Sequence, residues 1–239
     1  MFNNLVPVNS DRHAGKRIRP LRDFRHVADS HLASLVAHEF VRAAGTFPVV
    51  FVEDRQNECF RPVALLGLEP GENLFVDTEG RWTASYVPAI IRRYPFALAG
   101  NPGGDQYTVL IDEGADVVND EEGQLLFEEN GEPAEALENV RRYLGDLQQM
   151  DFLTNTCCDF LKEHDLLTGL NMRVRQADQV RNVSGCFSVN EERLNELSDE
   201  LFLEMRRRGY LAPIYAHLCS LAQIERLAKI KDDRGAASA

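Results

Sequence analysis

Hydrophobic and polar positions alternate over short stretches in the first half of the chain, which predicts strands rather than long helices. Three apolar runs predict strands, the first and last of them buried on both faces: FPVVFVE (47–53), FRPVALLG (60–67) and YTVLID (107–112). Turn residues such as Gly, Asn and Asp predict hairpins in three segments: 73–82, 120–133 and 171–189. A sheet built largely from hairpins is therefore expected.

Apolar positions three and four residues apart predict helices elsewhere. The first predicted helix has Ser30 as its N-cap and ends at Gly45, and its apolar residues have helical spacing: Leu32, Leu35, Val36, Phe40 and Ala43. A capping box formed by Ser188 and Glu191 predicts the start of a short helix. The other predicted helices begin at Pro133 or cover two later segments: 199–208 and 212–231.

These elements predict an α+β fold in a single domain that spans residues 1–239. We expect a mixed or antiparallel sheet with hairpins in the N-terminal half, packed by helices mainly from the C-terminal half. The domain is expected to have four parts: a basic N-terminal arm (1–29), a strand-rich part (30–132), a helix-rich part (133–231) and a disordered tail (232–239).

Charge is distributed unevenly along an acidic chain. The net charge is −12, so a nucleic-acid partner, which requires a basic surface, is not expected. Residues 11–25 nevertheless carry six basic and two acidic groups, whereas 112–138 carries eleven acidic groups and no Lys or Arg. The acidic stretch is expected to pair with the basic arm of the same chain, and docking of a basic partner protein is the alternative.

The sequence contains no run of about eighteen apolar residues, so no transmembrane segment is predicted. The first twenty residues lack the apolar core of a secretory signal, and a cytoplasmic location is expected. The five cysteines include no CxxC pair, which favours reduced and mostly buried thiols over a zinc site. Cys219, on the apolar side of the last predicted helix, is expected to be buried and unreactive.

The segment GRWTASYVPAIIRRYPFALAG (80–100) concentrates aromatic and guanidinium groups. A helix is predicted from Tyr86 to Arg93, on which the side chains of Arg92 and Arg93 point about 100° apart. One interpretation is that one Arg, with Trp82 or Tyr86, lines a cleft for a carboxylate, a phosphate or an acidic partner. The other is that both arginines cap or pair within the chain while the aromatic rings pack in the core.

Histidines and acidic residues do not form a recognisable metal or catalytic motif. His31 and His38 are two helical turns apart, which is too far for both to bind one ion, and Glu39 does not complete an HExxH motif. The acidic loop 116–124 lacks the ligand order of a calcium-binding EF-hand. Catalytic residues, a metal site and a cofactor are therefore not predicted.

Four blocks of sequence, spread over most of the chain, carry a family resemblance: EFVRAAGTFPVVF (39–51), ALLGLEPGENLFVDTEGRWTASYVPAIIRRYPFAL (64–98), LFEENGEP (126–133) and LAPIYAHLCSLAQIERL (211–227). In their order and spacing they resemble the bacterial SapC family, which is named after a surface-layer-associated protein. The resemblance implies a link to surface layers. It also implies a link to outer-membrane uptake, because SapC-like proteins in many Gram-negative bacteria appear beside uptake receptors, cupin-like proteins and flavin-dependent halogenase-like proteins. It supplies no established catalytic residues.

Two hypotheses about function follow. The first is a non-enzymatic SapC-like accessory protein that binds a partner protein or a small anionic ligand for surface-layer or uptake systems. The second is an enzyme that acts on a small carboxylate or phosphate, with Arg92 or Arg93 as the anchor and a histidine as the acid–base. The candidate binding residues are Arg81, Trp82, Tyr86, Arg92, Arg93 and His217.

Overall fold

A computed structural model describes residues 2–100, 107–176 and 179–237. Within these ranges the chain forms antiparallel sheets and helices, with most strands in the N-terminal half and the long helices in the C-terminal half. The predicted α+β class is therefore confirmed.

The largest sheet has five strands in the order β10-β11-β4-β5-β3, and all neighbours are antiparallel. Its strands are β3 (Leu32–Ser34), β4 (Val49–Asp54), β5 (Cys59–Leu65), β10 (Leu167–Gln176) and β11 (Gln179–Val189). The apolar run at Val49, Val50 and Phe51 is fully buried because helices cover this part of β4. The predicted strands 47–53 and 60–67 and the hairpin 171–189 are thus confirmed.

Two smaller antiparallel sheets have the orders β1-β7-β6 and β8-β2-β9. Their strands are β1 (Leu5–Pro7), β2 (Arg17–Ile18), β6 (Phe96–Gly100), β7 (Tyr107–Asp112), β8 (Val118–Asn119) and β9 (Gln124–Leu125). Strand β2 of the basic arm lies between two strands of the acidic stretch. Arg12 pairs with Glu113, and Lys16 Nζ lies 2.9 Å from Asp120 Oδ1. Pairing of the arm with the acidic stretch is confirmed.

The helices are α1 (Ser10–His13), α2 (Phe40–Ala43), α3 (Ala89–Arg92), α4 (Glu135–Glu163), α5 (Glu191–Asn195), α6 (Asp199–Arg208), α7 (Leu211–Ser220) and α8 (Gln223–Ala237). Short 3-10 turns cover Arg25–Val27 and Ala37–Glu39. Helix α6 ends at Gly209, which has a φ of 77° and closes the helix in the left-handed conformation that glycine adopts without strain.

Two hydrophobic cores lie at different ends of α4. The first core, between the five-stranded sheet and the helices α4 and α7, includes Phe47, Phe51, Phe160 and Ile214. The second core packs the smaller sheets against the first half of α4, and its buried residues are Phe96, Ile111, Leu126, Phe127, Leu137 and Leu144. Because α4 contributes residues to both cores, it connects the two halves of the fold.

Residues 30–45 do not form the predicted helix. Residues Leu32–Ser34 form an edge strand on β5, and only Ala37–Glu39 and Phe40–Ala43 are helical. The spacing of the apolar residues fits a helix, but hydrogen bonds to an existing sheet edge outweigh this local preference. The predicted helical segment is therefore split between a strand, a 3-10 turn and one turn of α-helix.

The C-terminal helix also differs from its prediction. It is broken between α7 and α8, where Ser220 Oγ accepts a hydrogen bond from Val49 N (2.9 Å) and ties the end of α7 to β4. Residues 232–237 of the predicted tail are helical, since α8 continues to Ala237. Lys231 Nζ fixes this helix by ion pairs of 3.0 Å to both Glu69 and Glu72.

Both N-terminal hairpins differ from the predicted ones. Segment 73–82 is a loop closed by the single bridge Val76–Trp82. In segment 120–133 a turn is closed by the bridge Phe127–Pro133, but β8 and β9 do not pair with each other, because β2 lies between them and supplies the hydrogen bonds. The predicted capping box is also replaced: β11 includes Ser188, and Asn190 caps α5 by accepting a hydrogen bond from Arg193 N (3.0 Å).

Three of the five thiols are buried: Cys157, Cys158 and Cys186. Burial raises the pKa of Cys157 to about 12, so this thiol is unreactive. Cys219 is exposed, and the prediction that it is buried is wrong. His217 takes the core-facing side of α7, and Cys219 lies about 200° around the helix from it.

Candidate functional site

The aromatic and arginine-rich segment 80–100 contains a helix of only four residues. Helix α3 starts after Pro88, since a residue that precedes proline, here Val87, is disfavoured in the helical conformation. The helix ends at Arg92, Arg93 lies at its C-terminal cap, and a cis peptide joins Tyr94 to Pro95 before β6. Arg93 keeps helical backbone angles (φ −69°, ψ −16°), and both arginines line the same cavity.

Arg92 is held by two aromatic rings and by the backbone. Its guanidinium carbon lies 5.7 Å from the ring centres of both Tyr86 and Tyr143. Its Nε donates to Val87 O (3.0 Å), and one terminal nitrogen donates to the Tyr86 hydroxyl (3.4 Å). Cation–π contacts and these hydrogen bonds fix the direction of the guanidinium but leave several N–H donors available.

The buried carboxylate of Glu39 holds Tyr86 and the start of α3 in place. Glu39 Oε1 accepts hydrogen bonds from the Tyr86 hydroxyl (2.6 Å) and from Ala89 N (2.7 Å), and Oε2 accepts one from Val36 N (3.1 Å). Burial, together with the hydrogen bond to Glu39, raises the pKa of Tyr86 to about 12. Glu39 thus fixes both the start of α3 and the ring on which Arg92 stacks.

Arg93 has an unusual environment for a charged side chain. It is half-buried, its guanidinium lies 5.6 Å from the ring centre of Phe2, and its buried Nε has no hydrogen-bond acceptor among the described residues. Burial lowers the pKa of Arg93 from its usual value, although an arginine remains protonated. Among the described residues no ion pair joins this guanidinium to a carboxylate, although Arg93 also lines a neighbouring cavity with Glu39 and Asp151, and Asp151 interacts with its charge.

Arg92 and Arg93 meet Arg19 at a cavity of about 320 Å³, which we name the arginine pocket. It lies between the end of β2, the α3–β6 segment and the first half of α4. Its apolar wall is formed by Ile18, Leu21, Phe96, Leu126, Val140 and Leu144. Three of these residues, Phe96, Leu126 and Leu144, are buried members of the second core. No Asp, Glu, His or Cys lines the pocket among the residues that the structure describes.

A model of the SapC family matches residues 8–227. This chain belongs to the SapC family. The resemblance carried by the four sequence blocks is thereby confirmed, whereas no curated protein and no solved structure matches the chain.

The other candidate residues of this SapC protein lie outside the arginine pocket. Arg81 is exposed and pairs with Asp77 (2.8 Å) and Glu79 (3.0 Å). Trp82 packs against phenylalanines of the first core, and its Nε1 donates to Tyr86 O (2.8 Å). Both residues therefore have structural partners within the chain.

His217 is fully buried in the first core. Its Nε2 accepts from Val189 N (3.0 Å), and its Nδ1 donates to Val49 O (2.7 Å). Desolvation lowers the pKa of His217 to about 4, so the ring is neutral near pH 7. With both nitrogens used by the backbone, this histidine connects α7 to the sheet and does not line the arginine pocket.

Sequence reasoning missed Arg19, Glu39 and Tyr143 as parts of this site. Arg19 was assigned to the basic arm, and Tyr143 to the long helix after Pro133. Contacts between residues so distant in sequence depend on the tertiary fold.

The described helices of this SapC protein include none that is long and apolar enough to cross a membrane. Residues 2–100, 107–176 and 179–237 also contain no group of three or more His, Cys, Asp or Glu side chains that would hold a metal ion. The arginine pocket is therefore the arrangement on which a functional proposal rests.

Proposed function

We propose that this SapC protein is a non-enzymatic binding protein whose arginine pocket holds a small anionic ligand that bears a carboxylate or phosphate group. One observation carries the proposal: Arg19, Arg92 and Arg93 line one cavity that no carboxylate of the described residues lines, in a chain of net charge −12. In an acidic protein, most arginines have nearby carboxylates as partners. Arg81 is such a case in the same segment.

The half-buried guanidinium of Arg93 gives the physical reason for binding. Removing a charge from water without a partner is unfavourable, and a bound anion offsets this by forming charge-assisted hydrogen bonds. Such hydrogen bonds contribute about 1.5–3 kcal/mol each. Arg92 adds donors whose direction is already fixed by two tyrosine rings, so little conformational entropy is lost on binding.

The alternative, an enzyme anchored by Arg92 or Arg93, requires a proton-transfer group beside the ligand. One candidate, His26, lines an adjoining cavity and stacks on Tyr94 with ring centres 3.9 Å apart. Burial lowers the pKa of His26 to about 4, which keeps the imidazole neutral and a poor proton donor near pH 7. These features favour binding over catalysis.

The biological setting is part of the same proposal and rests on the family resemblance. In it, the ligand-bound protein acts as an accessory to surface-layer or outer-membrane uptake functions. The size of the pocket favours a small molecule over a protein side chain as the primary occupant, since cavities of about 300–1,000 Å³ typically hold small ligands.

Calorimetric titration at low ionic strength tests the proposal with three probes: inorganic phosphate, succinate and hexanoate. We expect at least one probe to bind with a stoichiometry of one, and Arg93→Met to weaken that binding at least about tenfold. Arg81→Met is the matched control, because it removes a guanidinium from the same segment outside the pocket. The proposal fails if no probe binds or if Arg93→Met binds as tightly as the wild type.

A further inference from the structure

The composition of the arginine pocket identifies the class of its ligand. We propose that the ligand is an amphipathic monocarboxylate, with one carboxylate at the arginines and an apolar body against the wall formed by the second core. This inference rests on the proposed function and narrows it from any small anion to a free organic acid with a hydrocarbon or aromatic body.

The apolar wall is continuous with the interior of the protein. Leu126 is fully buried, and Phe96 and Leu144 are 4% and 2% exposed, so the pocket ends on tightly packed side chains. Val140, from α4, and Ile18, from β2, form the sides. A hydrocarbon body placed here loses contact with water on several sides, which favours binding in proportion to the apolar area removed from solvent.

Polar groups are few in the pocket and suit a single head group. Apart from the arginines, polar side-chain atoms among its described lining come from two amides, Gln124 and Asn139, and from tyrosines. The Tyr143 hydroxyl is already used as a donor to Ala89 O (2.9 Å). A ligand rich in hydroxyl groups would lose hydrogen bonds to water without gaining enough replacements, because it would face apolar side chains.

The guanidinium groups favour a planar head group. A guanidinium group can form two parallel hydrogen bonds with the two oxygens of a carboxylate, and Arg92 and Arg93 both line the pocket. Arg19, exposed at the mouth of the pocket, adds a third positive charge near the same head group. A single carboxylate at the arginines leaves the apolar wall for the rest of the molecule.

A homologous series of probes tests this inference directly: acetate, butanoate, hexanoate and octanoate, compared with inorganic phosphate and with the neutral octanol. Isothermal titration should show that affinity rises about fourfold per methylene group, since burial of a methylene stabilises by about 0.8 kcal/mol. Octanoate should bind at least about tenfold more tightly than octanol, because the alcohol lacks the charge that pairs with the arginines.

A pair of valine variants examines the apolar wall without removing an arginine. Val140→Thr keeps the shape of the side chain but adds a hydroxyl to the wall, so we expect octanoate to bind several-fold more weakly and phosphate binding to be unchanged. Val41→Thr is the control, because Val41 is 67% exposed on α2 and does not line the pocket.

The outcomes separate this inference from the proposed function. If phosphate or succinate binds in an Arg93-dependent way while affinity does not rise along the carboxylate series, the pocket binds anions but the amphipathic ligand is wrong. If octanol binds as tightly as octanoate, the amphipathic carboxylate is wrong, and if none of the probes binds, both proposals are overturned.

Discussion

Two charged side chains that contribute to the same site, Glu39 and Arg93, have opposite environments. Glu39 is buried, and its carboxylate accepts three hydrogen bonds, from the Tyr86 hydroxyl and from two backbone N–H groups. Arg93 is half-buried, and its buried Nε has no acceptor among the described residues. The hydrogen bonds to Glu39 compensate for the burial of its charge, which stabilises the fold. A partly desolvated cation without an ion-pair partner, such as Arg93, favours the binding of an anion.

At this scale, His217 makes the stability of the protein depend on pH. Its pKa is lowered to about 4 in the folded state, against about 6.5 in an unfolded chain, because burial disfavours the charged ring. Between these values the unfolded state binds more protons. The free energy of unfolding should therefore fall as the pH drops from about 6.5 to about 4, by up to about 3 kcal/mol from this residue.

Denaturant unfolding at pH 7 and at pH 4.5 measures this dependence. His217→Gln retains one donor and one acceptor but does not titrate, so its free energy of unfolding should change less between the two pH values. The half-buried His26, whose pKa is also lowered to about 4, maintains part of the dependence in both proteins. An identical pH dependence in the wild type and in His217→Gln would contradict the role of His217.

At the scale of elements, regular local patterns were sufficient for some predictions and not for others. The stop at Gly209 and the long apolar runs of β4 and β5 are local signals, and the structure confirms them. Strand β2 has only two residues, and its hydrogen bonds come from strands about a hundred positions away. No local pattern predicts such pairing, since the energy comes from tertiary contacts.

The candidate site shows the same limit. The density of aromatic and basic residues drew attention to Arg92 and Arg93, and both residues line the arginine pocket. Arg19 and Tyr143 reach the pocket only because β2 lies between β8 and β9 and because α4 packs on the second core. Periodicity within one segment contains no information about contacts between residues that are distant in sequence.

A substitution at Gly123 tests how strongly the position of β2 is fixed. It has a φ of 102°, and a Cβ at this position would lie 2.2 Å from the backbone oxygen of Ile18. Gly123→Ala should lower the free energy of unfolding by at least about 2 kcal/mol, because both the backbone conformation and the clash are unfavourable. It should also weaken anion binding, since Ile18 and Arg19 line the arginine pocket.

Gly131→Ala is the matched control for this change. Gly131 also has a positive φ, of 82°, but its nearest neighbour to a new Cβ is the Cβ of Ser10 at 4.0 Å. Only the conformational cost of about 1–2 kcal/mol applies there. Chemical denaturation and titration with the tightest-binding probe should therefore separate the two variants, and equal effects would show that β2 is not held closely at Gly123.

At the scale of the whole molecule, α4 determines whether the two cores unfold together. Its 29 residues place Leu137 and Leu144 in the second core and Phe160 and Leu161 in the first. A continuous helix of this length couples the unfolding of the two cores, because unwinding either half of the helix removes packing from the other half. A single domain over residues 1–239 is therefore our prediction for the folding unit.

The only tryptophan of the chain makes this prediction measurable. Trp82 packs on the first core, whereas Leu137 is fully buried in the second. Leu137→Ala should cost about 3 kcal/mol. If the chain unfolds as one unit, the midpoint of Trp82 fluorescence in urea should fall together with that of far-ultraviolet circular dichroism. Leu203→Ala, at a side chain 42% exposed on α6, should shift neither signal appreciably. A Trp82 midpoint that stays at its wild-type value while circular dichroism becomes biphasic would show two units that unfold independently.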